Sequence, residues 1–129
     1  MESKGLSLSV LPGKFAVCRL EADAAEPTWA NKGDFVSITR TPDELSVVCP
    51  EISAPDNITA ERNWRCLKIE GTLDFGLTGI LASIATPLAE VRISIFALST
   101  FNTDYVLVKD ATLEAAIAAL RKAGHTVQK

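Results

Sequence analysis

The sequence of 129 residues predicts an α+β protein made of two packed units of one type, the first of them degenerate. Three observations support this fold class. Apolar residues alternate in several short segments, as in strands with one buried face. In two later segments they recur at offsets of three and four, as along one face of a helix. Finally, the strand-turn-strand segment 35–48 resembles segment 93–108, with Asp43 corresponding to Asp104, which we interpret as an internal duplication.

The first half, residues 1–63, predicts strands with little helix. The predicted strands are 6–11, 15–20, 35–39 and 45–49. The sequence Pro12-Gly13 indicates a turn between the first two strands, which therefore look like a hairpin. Residues 22–33 allow at most a short helix, and segment 41–44 has the proline and aspartate typical of a turn. The polar stretch 50–63 is interpreted as a connector.

The second half, residues 64–129, has a more regular pattern. The predicted strands are 64–69, 92–98, 104–109 and a short closing strand at 125–128, and the predicted helices are 77–88 and 110–122. This order is that of a ferredoxin-like β-α-β-β-α-β unit. The first half echoes part of it and lacks at least one full helix.

The ends of the predicted helices carry specific expectations. Pro87 has no N–H for the Ser83 carbonyl, so we expect the first helix to kink or stop near Ala85. The last helix starts near Asp110 or Thr112, either of which can cap it. Gly124 suits the left-handed position that follows a helix.

Composition and charge exclude several partners. The chain has 13 basic and 16 acidic residues and a formal net charge of −3. Without a basic stripe, neither nucleic acid nor an anionic membrane surface is an expected partner. The first residues lack the apolar run of a signal peptide, and no stretch approaches the roughly 20 apolar residues of a membrane span. A cytoplasmic protein is the resulting expectation.

Catalytic and metal-binding patterns are weak. Cys18, Cys49 and Cys66 are widely spaced in strand-like runs, and we interpret them as buried, reduced thiols. With one histidine and no C-x-x-C pair, we expect no metal and no cofactor. His125 follows Gly124, and we interpret it as a cation stabilising a helix C-terminus. No Gly-x-Ser-x-Gly elbow or nucleophile-base pair is present, so we predict no catalytic residues and no enzyme activity.

The loop 71–78 is the first candidate binding segment. It nearly matches a phosphate-binding loop, but Leu77 stands where that chemistry needs a lysine, which argues against nucleotide hydrolysis. A glycine-rich turn from strand to helix still exposes backbone N–H groups that favour an anion such as a carboxylate. The alternative is that Gly71 and Gly76 only permit tight turning.

Polar residues after the next strand provide the second candidate segment. In a β-α-β unit the two segments lie near each other at the ends of adjacent strands, so free N–H groups could bind a ligand carboxylate while Asp74 or Asp104 binds its ammonium. The alternative is a solvated turn. The predicted ligand-binding residues are Gly71, Thr72, Leu73, Asp74, Phe75, Gly76, Leu77, Thr78, Ser99, Thr100, Asn102 and Asp104.

Residues 70–90, the strand beginning with Ile93-Ser-Ile-Phe-Ala-Leu and the strand Asp104-Tyr-Val-Leu-Val together resemble an ACT domain. More narrowly, the chain resembles the CASTOR-like ACT proteins, a group that includes cellular arginine sensors and is related to the regulatory domains of aspartate kinases. Segment 35–50 resembles the first half of the same small family. The resemblance implies an N-terminal ACT-like half at 1–63 and a C-terminal ACT domain at 64–129.

The resemblance also implies a function. It implies a non-catalytic regulatory protein that binds a small molecule, usually an amino acid, at the interface between two ACT units. A homodimer and a regulated protein partner are further expectations. The family's ligand loop maps onto 71–78, and the end of its second strand maps onto 95–104. Many members have glycine at the helix-to-strand turn, where this chain has Val91-Arg92. The alternative function is a protein–protein interaction module without a ligand.

Overall fold

The computed structural model describes residues 5–71 and 78–129. They form two compact units. The helical unit contains the described residues up to Pro12 together with Arg65–Lys129, and the β unit is Gly13–Trp64. The sequence analysis divides the chain between residues 63 and 64. In the structure the first strand, which that division puts in the first half, belongs to the helical unit.

The strands are β1 Ser7–Val10, β2 Phe15–Leu20, β3 Ser37–Arg40, β4 Leu45–Pro50, β5 Thr59–Ile69, β6 Phe96–Ser99, β7 Asp104–Lys109 and β8 Thr126–Gln128. The α-helices are α1 Ile80–Glu90 and α2 Leu113–Lys122, and short 3₁₀ turns occupy Thr28–Asn31, Glu51–Ser53 and Asp110–Thr112. The order β5-α1-β6-β7-α2-β8 confirms the α+β class and the ferredoxin-like pattern.

The sheet of the helical unit has the order β6-β7-β5-β1-β8. Leu8 of β1 lies opposite Ile69 in an antiparallel pairing with β5 and opposite Val127 in a parallel pairing with β8. The predicted hairpin of the first two strands is therefore wrong, because β2 pairs with β4 and β5 instead. A local Pro-Gly turn does not select the partner of a strand, whereas burial of an apolar face such as that of Leu8 does.

Both helices cover one core. It contains Leu8, Leu67, Ile69, Ile84, Leu88, Ile93, Val106, Val108, Leu113, Ala116, Ile117, Leu120 and Val127. The α2 members follow the predicted spacing of three and four residues. Burying one Leu, Ile or Val side chain contributes about 1.5–3 kcal/mol, so this cluster is the main source of the unit's stability.

Helix α1 differs from its prediction. Of the kink or stop predicted near Ala85, the stop does not occur, because the helix continues through Pro87 to Glu90. Proline leaves the Ser83 carbonyl without its partner four residues later. The Nε2 atom of His125 lies 2.9 Å from that carbonyl oxygen and supplies the missing donor. A hydrogen bond from outside the helix thus replaces the one that Pro87 removes.

The end of α1 is closed by a left-handed residue. Arg92 has φ 63°, and its N–H donates to the Ala89 carbonyl at 3.0 Å. The next N–H, from Ile93, donates to the Leu88 carbonyl at 2.9 Å. These two bonds define a Schellman motif, in which glycine is the usual left-handed residue. The turn therefore forms with arginine, and β6 begins at Phe96, later than predicted.

Helix α2 confirms one end prediction and corrects the other. Gly124 is left-handed, with φ 101°, as expected after the helix. Thr112 precedes the helix, but its hydroxyl donates to the Lys109 carbonyl at 3.0 Å and does not cap the helix N-terminus. The 3₁₀ turn Asp110–Thr112 leads the chain into the helix instead.

The β unit is an antiparallel sheet of order β3-β4-β2-β5. The predicted turn between β3 and β4 is confirmed, because the Thr41 N–H donates to the Glu44 carbonyl and the Thr41 hydroxyl accepts the Asp43 N–H at 3.1 Å. Within Gly13–Trp64, all of which is described, there are 3₁₀ turns but no α-helix. Strand β5 already begins at Thr59, so the connector is shorter than predicted.

Candidate functional site

Thr103 joins the two predicted binding segments. Its side chain is buried, and its hydroxyl donates to the Ile69 carbonyl at 2.6 Å. Ile69 is the last residue of β5, and the loop 71–78 begins two residues later. The hydrogen bond therefore holds the β6–β7 connection beside the start of the predicted ligand loop, as the β-α-β topology predicts.

The β6–β7 connection is a tight turn. The Thr100 N–H donates to the Thr103 carbonyl at 2.8 Å, and the Thr100 hydroxyl donates to the same carbonyl at 3.1 Å. These contacts show that Thr100 and Thr103 shape the turn. Ser99 and Asn102 are exposed, and half-buried Asp104 lies opposite Ser99 at the start of β7. Thr100 is exposed as well, so the accessible polar side chains are those of Ser99, Thr100, Asn102 and Asp104.

The structure describes only the ends of the predicted loop. Gly71 is exposed and left-handed, with φ 89°, a conformation that favours glycine. Thr78 is also exposed. The predicted residues Thr72, Leu73, Asp74, Phe75, Gly76 and Leu77 lie outside the described residues, and their predicted roles stay predictions.

Gly79 forms the start of α1. It is left-handed, with φ 76°, and its carbonyl accepts the Ser83 N–H at 2.9 Å. No side-chain hydrogen bond caps this helix end in the part of the chain that the structure describes. The first N–H groups of an α-helix have no partner within the helix, so they are available to a ligand with negative charge.

His125 has a structural role that the sequence analysis missed. Its side chain is buried, Nδ1 lies 3.0 Å from the Leu6 backbone N–H, and Nε2 lies 2.9 Å from the Ser83 carbonyl oxygen. Nδ1 must accept and Nε2 must donate, which requires the neutral ring with its proton on Nε2. The ring therefore connects the segment before β1 to α1, in place of the predicted cationic helix cap. Both nitrogens are occupied, so neither is free to act as a catalytic base.

A cavity of about 470 Å³ lies beside this histidine in the helical unit. The cavity is lined on the α1 side by Gly79, Ser83 and Thr86 and on the opposite side by Gly5, Gly124 and His125. Most of the lining residues are small, and none carries a formal charge. Because β1 is antiparallel to β5 and parallel to β8, the starts of β1 and β8 lie at the end where β5 finishes. The predicted loop therefore starts beside the Thr103 turn and ends at the Gly79 rim of the cavity.

The three cysteines are buried, as predicted, and none of them forms a disulfide. Burial raises the pKa of Cys66 to about 12. Among residues 5–71 and 78–129, no cluster of three or more His, Cys, Asp or Glu side chains is arranged to hold a metal ion. The described helices include none with the length and apolar character needed to cross a membrane.

Family models match two separate segments of the chain, whose boundary lies a few residues before that between the two units. A family model for the ACT domain matches residues 59–122, and a second model, for an N-terminal domain, matches residues 13–57. The β-α-β-β-α-β unit and this match define an ACT-domain protein. The human cytosolic arginine sensor for mTORC1 subunit 1 is 31% identical over 97 residues, which are 67% of this chain and 30% of that protein. This chain therefore spans less than a third of that relative. It belongs to the CASTOR-like group of the ACT-domain family.

Solved structures share the fold of this chain. Protein Atu0741 from Agrobacterium tumefaciens is 41% identical, has a TM-score of 0.92, and the match covers 97% of this chain and 93% of that one. The regulatory subunit of aspartate kinase from Thermus thermophilus has a TM-score of 0.60 over 90% of this chain and 96% of its own. At 11% identity the second likeness shows a shared fold alone.

Proposed function

We propose that this protein is a non-catalytic regulatory protein that binds an amino acid or a similar small zwitterion. The ligand would lie where the loop 71–78 meets the β6–β7 connection. The hydrogen bond from Thr103 to the Ile69 carbonyl carries the proposal, because it brings the two segments together at the end of β5. A relative named as an arginine sensor supports the regulatory role.

The chemistry of a zwitterion matches the groups available. A carboxylate would be attracted to the N-terminus of α1, where no side chain among the described residues caps the first N–H groups. An ammonium group is attracted to a carboxylate, for which Asp104 and the predicted residue Asp74 are the candidates. The adjacent cavity of about 470 Å³ is within the usual range of small-molecule sites. Its small, uncharged lining would accept the side chain of the ligand.

Regulation would follow from binding to one arrangement of ACT units more tightly than to another. Only such a difference in affinity lets a ligand shift an equilibrium. The family resemblance implies a ligand at an interface between two ACT units, and we extend the proposal to that interface, to a homodimer and to a regulated protein partner. The cytosolic name of the arginine sensor supports the same location for this chain.

Thermal-shift measurement with each of the twenty common amino acids tests the proposal. A ligand at a hundred times its Kd stabilises the folded state by about 2.7 kcal/mol, which is a shift of several degrees for a chain of this size. Asp104→Ala should reduce the shift, and the double replacement of Asp74 and Asp104 by Ala should abolish it. Asp43→Ala is the matched control, since Asp43 is the corresponding turn residue of the β unit and should leave the shift intact. No shift with any amino acid at millimolar concentration would contradict the proposal.

The alternative function is an interaction module without a ligand. Phe101, at the tip of the β6–β7 turn, is 79% exposed and would be the side chain that contacts such a partner. Phe101→Ser would then weaken association while amino acids change nothing. If a ligand stabilises the protein and Phe101→Ser leaves that response intact, the alternative is wrong.

A further inference from the structure

The cavity beside His125 has two walls, both within the helical unit. One wall is a face of α1 and of the residue before it, along which the lining residues recur at helical spacing. They are Gly79, Ala82, Ser83, Thr86 and Pro87. The opposite wall is formed by Gly5 and by segment 123–125, which follows α2. Most of the α1 wall is exposed, so a solute can enter from solvent.

Specific contacts hold the two walls at a fixed distance. The Nε2 atom of His125 donates to the Ser83 carbonyl at 2.9 Å, and Nδ1 accepts the Leu6 N–H at 3.0 Å. A Cβ atom on Gly5 would overlap the carbonyl oxygen of Gly124, so only glycine allows the chain to approach this closely. The cavity is therefore a defined feature of the fold.

The size of the cavity leaves room for long side chains as well as short ones. Its volume of about 470 Å³ is many times the roughly 30 Å³ that one water molecule occupies. It also lies within the usual range of small-molecule sites. The chemistry of the lining, more than its volume, therefore decides which side chain binds.

The described lining offers hydroxyl groups and no charge. The ring of His125 is neutral, because one nitrogen accepts and the other donates a hydrogen bond. The Ser83 hydroxyl donates to the Ile80 carbonyl at 2.7 Å, and its oxygen can still accept a hydrogen bond. The Thr86 hydroxyl is exposed and can donate as well as accept.

A charged side chain would lose water in this cavity without gaining an opposite charge. A guanidinium or ammonium group needs a carboxylate, and the described lining supplies none. The carboxylates of Asp104 and of the predicted residue Asp74 are assigned to the ammonium group of the ligand backbone. A hydroxyl or amide side chain, in contrast, can exchange its hydrogen bonds with water for bonds to the lining hydroxyls.

We propose that this cavity is the side-chain subsite of the ligand, and that the ligand is an uncharged amino acid with a hydroxyl or amide side chain, such as threonine or glutamine. The inference rests on the proposed function, which puts the ligand carboxylate at the N-terminus of α1. Gly79 is both the residue before that helix and part of the lining. Ser83 lies about one helical turn, or 5.4 Å, further along, a distance that the side chain of glutamine spans.

Isothermal titration calorimetry of the full chain tests the inference. The titrants are threonine, glutamine, arginine, lysine and glutamate. We expect the tighter binder of threonine and glutamine to have a Kd at least about tenfold below that of each charged amino acid. Ala82→Leu fills the cavity from an exposed helix position and should raise this Kd about tenfold or more. Ala89→Leu is the matched control, since Ala89 is exposed on the same helix outside the cavity, and it should leave the Kd unchanged.

A change of charge at Thr86 tests the selection directly. Thr86→Asp puts a carboxylate into the lining and should improve the affinity for lysine, relative to glutamine, about tenfold or more. Thr86→Asn has nearly the same shape as Thr86→Asp without the charge, and should not favour lysine.

The outcomes separate this inference from the proposed function. If amino acids bind but arginine, lysine or glutamate binds as tightly as threonine and glutamine, the inference is wrong while the proposed function stands. The same holds if Ala82→Leu and Ala89→Leu have equal effects. If no amino acid binds, both are wrong. Because the comparison of the five titrants uses the unsubstituted protein, it remains decisive even if a variant fails to fold.

Discussion

The replacement His125→Ala removes a side chain that connects the start of β8 to the segment before β1 and to α1. The ring accepts the Leu6 N–H at 3.0 Å and donates to the Ser83 carbonyl at 2.9 Å. A hydrogen bond contributes about 0.5–1.5 kcal/mol net, and a buried group left unpaired costs about 1–3 kcal/mol. Ser83 is exposed and Leu6 is half-buried, so water can partly replace the ring. We therefore expect His125→Ala to lower the free energy of unfolding by about 1–3 kcal/mol.

A second change separates the two hydrogen bonds. Pro87→Ala restores an N–H four residues after Ser83, so the helix itself can satisfy the Ser83 carbonyl. His125→Ala should then cost about 1 kcal/mol less in the Pro87→Ala background than in the natural chain. This difference is the coupling energy between the proline and the histidine.

Urea unfolding of the four proteins, followed by circular dichroism, measures this coupling. Equal m-values across the set would show that the compactness of the unfolded state is unchanged. Thr126→Ala, at an exposed position beside the histidine, is the control and should change the free energy of unfolding little. If His125→Ala costs the same in both backgrounds, within about 0.3 kcal/mol, the compensation between Pro87 and His125 is refuted.

Three further predictions concern single residues. Thr103→Val should destabilise the fold by about 1–3 kcal/mol because the Ile69 carbonyl loses its donor, and Thr103→Ser should recover most of the loss in urea unfolding. Arg92→Gly should raise the free energy of unfolding by about 1 kcal/mol by relieving a left-handed arginine, whereas Arg92→Ala should not; equal effects would contradict the backbone explanation. Cys66 has an ordinary pKa of 9.0 that rises to about 12 on folding, so the unfolded state loses its proton first as pH rises. Ionisation of Cys66 therefore leaves the free energy of unfolding unchanged below pH 9. Between pH 9 and 12 it lowers the free energy of unfolding by about 1.4 kcal/mol for each pH unit. Cys66→Ala should have a flatter stability profile in this range, and parallel profiles would contradict the shift.

Local sequence patterns predicted the elements of the helical unit well. The strand at 104–109 has the predicted bounds, and α2 ends at Lys122 before a left-handed Gly124. These features depend on residues close together in the chain, such as alternating apolar side chains in β7 and a glycine after α2. Propensity and periodicity therefore suffice to place them.

Features that depend on distant residues could not be predicted in the same way. The partners of β1 lie about 60 and 120 residues away, and the Pro-Gly turn beside it gave the wrong partner. The continuation of α1 through Pro87 depends on His125, which lies 42 residues beyond Ser83. A proline inside a predicted helix does indicate a carbonyl in need of a donor, but the sequence alone does not reveal which residue supplies it.

The candidate site was predictable in its position and only partly in its chemistry. The topology rule correctly placed the β6–β7 connection beside the end of β5. It did not distinguish Thr103, whose hydroxyl anchors the turn, from Asn102, whose side chain is exposed. The cavity at Gly79 had no sequence signature, because it forms where α1 meets the starts of β1 and β8.

The central claim is that an amino acid binds at the end of the helical unit where β5 finishes. A titration of the ¹⁵N-labelled protein with each common amino acid, followed by two-dimensional NMR, tests it most directly. The account predicts saturable changes at the backbone N–H groups of Gly71, Gly79 and Asp104, with Asp43 of the β unit unchanged. The claim is contradicted if no amino acid produces saturable changes at millimolar concentration, or if the changes are confined to the β unit.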